Sequence, residues 1–140
     1  MEAPAVRPRD EWLVRAGYAF AVGSAIHIID HLRRGQDSVT EELYWAGNGA
    51  LIVQVAVITL IVTRHRTAPI AAVATGLPLA VGFAAAHWLP EWSSLSDSFV
   101  EGGTSGFSYI ASAAEILGAL AIATAGWAVL RARGLASAAA

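Results

Sequence analysis

The sequence predicts an all-α integral membrane protein, a four-helix bundle of four transmembrane helices with both termini inside. Three observations carry this reading. Only 14% of the residues are charged and 56% are hydrophobic, against about 25% charged in a typical soluble domain. The apolar residues gather into four runs, at 16–32, 43–63, 69–89 and 107–130. The arginines and tryptophans sort to opposite ends of those runs as a bilayer would sort them.

Each run approaches the ~20 residues that carry a helix across about 30 Å of hydrocarbon. Backbone groups in lipid must be bonded internally, which leaves helices or closed barrels. The period-2 alternation of a barrel strand is absent. With their flanks the spans are placed at 13–32, 43–63, 69–89 and 107–130, within a single domain covering 1–140.

The first span follows a basic segment and could pass for a cleaved leader. Its apolar run continues through Ile29 with polar residues built in, so it reads as an uncleaved span. The second follows Arg33-Arg34. The third contains Pro78, which is expected to kink it or free a carbonyl. The segment 90–106 holds Glu91, Asp97 and Glu101 with no basic residue. It closes on Gly102-Gly103-Thr104-Ser105-Gly106 and reads as an outer loop into span four.

Arg7, Arg9, Arg15, Arg64, Arg66, Arg131 and Arg133 fall on the side of the termini. Only Arg33 and Arg34 fall on the other. The positive-inside rule makes the arginine-rich side cytoplasmic. The expected location is therefore the plasma (inner) membrane, multi-pass, with the lipid bilayer as first partner. Trp12 and Trp127 sit at the inner boundary and Trp45, Trp88 and Trp92 at the outer one, the placement of an interfacial belt.

The absence of cysteine excludes disulfides, thiolate ligands and iron–sulfur clusters. All nine basic residues are Arg, but no basic patch interleaved with aromatics points to nucleic acid.

Ionisable residues at membrane depth are costly and point to function. Here they crowd toward one end. His27, Asp30 and His31 share a helix face at i, i+3, i+4. At the rise of an α-helix, His27 lies roughly 6–9 Å below the outer end of its span, and Glu115 about 12 Å below the outer end of span four. His87 is within a turn of the end of span three. Asn48 and Ser112 supply supporting polar groups at similar height. The inner half is nearly bare apart from Gln54 and a few threonines.

Three imidazoles with one or two carboxylates suit a transition metal such as Zn, Fe, Mn or Cu. The candidate ligands are His27, Asp30, His31, His87 and Glu115. Asp30 and Glu115 are also the candidate acid–base residues, and Asp30 has a second reading as an orienting partner of one imidazole. Haem b is an alternative, with two of His27, His31 and His87 as axial ligands. Two further readings compete. One is a cofactor-free accessory subunit, alone by self-association or within a larger membrane complex. The other is passage of protons or a lipid ligand through the bundle. Structural explanations stand beside all of these. Asp30 has Arg34 at i+4 as an ion-pair partner, and Asn48 and Gln54 suit interhelical hydrogen bonds.

Overall fold

A computed structural model describes residues 8–138, with the side chains of Pro8, Gln36 and 135–138 left aside. Four helices follow in order: α1 (Pro8–Arg34), α2 (Glu41–Val62), α3 (Ala68–Trp88) and α4 (Gly106–Ala138). A 3-10 turn at Gln36–Ser38 joins the first two. No strand occurs among the described residues. All four helices are long and apolar enough to cross a membrane.

The helices outrun the expected spans at the end where the termini lie. The first begins at Pro8 rather than 13, and the fourth continues to Ala138 rather than 130. Hydropathy marks where lipid is tolerated, and a helix can continue past that point into water. Arg133 reaches the Arg66 carbonyl (3.1 Å) and Arg64 reaches Glu11 (2.7 Å), so the turn between α2 and α3 is tied to both terminal helices. Arg7 lies outside the described residues.

Local chemistry fixes the ends. Gly35 takes φ +87°, a left-handed cap that closes α1 with its N–H on the His31 carbonyl. Thr40 caps α2 by accepting from the Leu43 N–H at 3.1 Å. Its own hydroxyl donates to the Ser94 carbonyl, which anchors the start of α2 to the loop before α4. Pro78 lies exposed within α3, and the helix runs unbroken across it.

The fourth helix is the axis of the fold. It packs along α1 on one side and α3 on the other, while α2 meets α1 and α3 far more sparsely. Small residues allow the close approach. A Cβ on Gly118 would stand 2.7 Å from the Phe20 Cα, and one on Gly23 would stand 2.6 Å from the Ala114 carbonyl oxygen. Phe20, Ala72, Ala119 and Ile122 form the centre of the resulting core. This is packing by van der Waals contact, the main drive for helix association where lipid is as apolar as leucine.

Candidate metal centre

The tight α1–α4 contact at Gly23 fixes one turn of each helix against the other. It places His27 of α1 beside Glu115 of α4. His31 follows one turn later on the same face, and His87 arrives from the last turn of α3. His27 and His87 are buried and His31 is half-buried. The three ring centroids lie 4.7–5.9 Å apart. One ring nitrogen of each falls within 4.8 Å of the others. Those nitrogens are close enough that one metal ion could be held among them.

Hydrogen bonding assigns the tautomers. Arg34 has only donors, so its Nη2 contact with His31 Nδ1 at 3.2 Å makes that nitrogen an acceptor. The His31 proton is then on Nε2, which donates to His27 Nε2 at 2.8 Å. His27 therefore carries its proton on Nδ1, which lies 3.2 Å from Glu115 Oε2. That approach is at ion-pair distance but off the hydrogen-bond line, and His27 Nδ1 has no other partner among the described residues. His87 Nδ1 points at the Asp97 carbonyl at 3.2 Å and its carboxylate at 3.4 Å. Both are acceptors, so His87 also holds its proton outward. Two imidazoles thus turn an Nε2 lone pair inward, each backed by a carboxylate residue.

Asp30 is placed differently from the histidines. It is 1% exposed and accepts from Arg33 at 2.7 Å, Arg34 at 3.1 Å and Ser108 at 3.0 Å. Those bonds tie the end of α1 to the start of α4 and occupy the carboxylate away from the imidazoles. Arg34 continues outward to both oxygens of Asp97, at 3.0 and 2.5 Å. Burial alone would raise the Asp97 carboxyl, but hydrogen bonds from His87 and Arg34 outweigh it and hold the group well below the usual carboxylate range. Asp97 in turn sits on a loop folded back over α3. The Asp97 and Phe99 N–H groups bond the Ala86 and His87 carbonyls, each at 2.9 Å. The Phe99 ring stacks on His87 with centroids 4.6 Å apart.

The other expected site residues divide. Asn48 bonds the Tyr44 carbonyl of its own helix at 2.8 Å and lines a cavity beside the histidines. Ser112 shares a helix face with Glu115 but accepts from the Trp88 indole at 3.0 Å, so it braces α3 on α4. The ion pair expected between Asp30 and Arg34 is present at 3.1 Å, whereas sequence reasoning missed Asp97 and Phe99 as supports of the site. One signal was present. Arg33 and Arg34 are the only basic residues at this end, and the loop opposite carries acids without bases.

The cavity holds about 370 Å³ and lies between α1, α2 and α3. His27, His31, His87 and Glu115 form its polar wall, with Leu43, Gly47 and Leu51 of α2 opposite. Comparison with known protein families, with characterised proteins and with solved structures returns no match. The geometry alone must speak for the function.

Proposed function

We propose that this chain is a small multi-pass membrane protein carrying a three-histidine transition-metal centre, with its site opening toward the outer face. The single observation that carries it is the convergence of His27, His31 and His87 from two helices onto one point beside an open cavity. Neutral imidazoles favour Zn, Cu or Fe. With Asp30 occupied by two arginines, the carboxylate-rich set that would favour Mn is not assembled. Three protein ligands leave a further position for water or a cavity ligand, the arrangement of catalytic rather than purely structural sites. Asp97 behind His87 supplies the hydrogen-bonded orienting partner that a metal-bound imidazole requires, and Glu115 stands 3.2 Å behind His27. To hold a metal through Nε2, His31 would carry its proton on Nδ1 instead, giving up both the Arg34 contact there and the 2.8 Å bond to His27.

The orientation follows from the arginines. Seven fall on the side of the termini in the sequence and two beside the histidines, which supports cytoplasmic termini and a site at the outer side of the plasma membrane. Haem b has less support, because a macrocycle must pass between its two axial rings. Here His27 and His31 are hydrogen-bonded to each other, and His87 stands 4.9 Å from His27, centroid to centroid.

Elemental analysis and an absorption spectrum on one detergent-purified sample test this, beside His27→Ala and His87→Ala. The expected result is one metal per chain, lost in both variants. Equal metal in wild type and a His27→Ala/His87→Ala double variant would end the proposal and favour the accessory-subunit reading. A Soret band would redirect it to haem.

A further inference from the structure

Four arginines lie over aromatic rings, and the two ends of the bundle use them differently. At the end that carries the histidines, Arg33 lies 5.6 Å from the Phe107 ring and Arg34 lies 5.3 Å from the Phe99 ring. The N–H edges of Arg33 are taken by Asp30, Ser105 and Ser108, and those of Arg34 by Asp30 and Asp97. At the end that carries the termini, Arg15 lies 5.6 Å from the Trp12 ring and Arg131 lies 5.2 Å from the Trp127 ring. Neither makes a hydrogen bond or ion pair with another described residue. A guanidinium stacked by its face keeps its donors in the plane, as a fork that matches the oxygens of an anion. Arg15 and Arg131 present that fork unused.

Their position says which anion. Trp12 and Trp127 are exposed, and exposed indoles settle at the headgroup level of a bilayer. On α4 the exposed residues Leu117, Leu120, Thr124 and Trp127 recur at helical spacing, and Arg131 closes the row. Side chains on a helix lean toward its N-terminus. For Arg131 that is back toward the apolar run, so its guanidinium stays at the level of the indole. An acyl chain lying along the row brings its phosphate to that point. The Arg9 Nη1 bond to the Ala128 carbonyl at 3.4 Å sets α1 and α4 side by side here, so both Arg–Trp pairs lie at similar height. Six described arginines at this end meet only two acids, Asp10 and Glu11, which already pair with Arg133 and Arg64. The surplus favours a headgroup of net negative charge over a zwitterionic one, whose own cation is repelled.

We propose that this end of the bundle binds anionic phospholipid at two places, with one phosphate on Arg15 beside Trp12 and another on Arg131 beside Trp127. The inference rests on the membrane-spanning reading of the four helices and is independent of the metal centre.

The test is native mass spectrometry of the full-length protein, released from detergent containing phosphatidylglycerol and phosphatidylcholine with identical chains. Phosphatidylglycerol should be retained at both places, preferred over phosphatidylcholine by about fivefold or more, the worth of one arginine at an anionic surface. Arg15→Gln and Arg131→Gln should each lose one bound lipid, and the double variant both. Both side chains are exposed, so the variants should keep the wild-type melting temperature. Arg66→Gln is the control for a diffuse positive field. Arg66 is exposed at the same end without a ring beneath it, and its loss should leave both lipids bound. Glycerol phosphate carries the same anion without the chains and should displace neither lipid.

Equal retention of the two lipids, or undiminished retention in the double variant, would overturn the proposal. So would a loss in Arg66→Gln as large as in Arg15→Gln, which would reduce the two places to a general surface charge. Displacement by glycerol phosphate would make this a site for a soluble phosphate and not for a lipid. Metal content measured on the same samples should be the same in every variant, so neither reading can fail on account of the other.

Discussion

Along α4 the neighbouring helices come so close that a side chain at Gly118 or Gly126 would strike the backbone of α1 or α3. Along α2, Gly47 and Gly49 face open space, and only Gln54, Val57 and Ile61 are buried. Both helices are apolar and of membrane length, so composition does not separate them. Packing does. Helices α1, α3 and α4 form a tight unit that holds three imidazoles in register. The second helix leans against that unit and leaves a cavity where a fourth tight contact would have been. A precise cluster of imidazoles and an open cavity place opposite demands on packing, and the fold assigns them to different helices.

The comparison is broken most forcefully at Gly23. Its Cβ would stand 2.6 Å from backbone oxygen, so Gly23→Val is expected to cost more than about 3 kcal/mol. Loss of the monodisperse peak in size-exclusion chromatography would report it. Next comes Asp30, buried and shared by two arginines. Asp30→Ala removes the acceptor shared by Arg33, Arg34 and Ser108 while Arg34 keeps Asp97, and is expected to cost about 1–3 kcal/mol, read as a lower melting temperature in detergent. Unchanged melting would show that the clamp adds nothing to the tight unit.

A third change tests the support of the histidines. Glu115→Gln keeps the shape behind His27 and removes its carboxyl group, and the affinity of the proposed metal site is expected to fall about 10–100-fold with the melting temperature of the metal-free protein nearly constant. Competition against a chelator of known affinity measures this.

The fourth concerns Asp97. Its carboxyl is held below the usual range, so its contribution is fully present above the unfolded carboxylate value, about 4. It is lost as pH falls through the depressed folded value. The destabilisation caused by Asp97→Asn should be constant near neutrality and shrink in acid below about pH 4. A penalty that grows on acidification would contradict the ion pair. The smallest effect belongs to α2. Gly47→Ala should be neutral or stabilise by at most about 1 kcal/mol, in plain contrast to Gly23.

Much of this was legible in the residues. Four apolar runs of the right length predict four helices, and the structure has four helices long and apolar enough to cross a membrane. His27 and His31 at i, i+4 must share a face, and His87 lies at the same height near the end of its run. What could not be read is which face each helix turns to which neighbour. Small residues are scattered through every span, so nothing in the sequence marks Gly23 as a contact and Gly47 as a gap. Asp30 was legible as a polar group at the site but not as one drawn away by Arg33 and Ser108. Asp97 and Phe99 lie in a loop without periodicity, where only charge balance hinted at the first and nothing at the second. Gln54 has an ordinary explanation in sequence, as a hydrogen bond between helices.

The central position of α4 also sets an order of events. Chains are made from the N-terminus and inserted segment by segment. Helices α1 and α3 each rest mainly on α4, the last of the four to emerge. Until it arrives, His27 has no Glu115 behind it and Asp30 has no Ser108. The three imidazoles are thus present on α1 and α3 before the contacts that brace His27 and Asp30 from α4 can form.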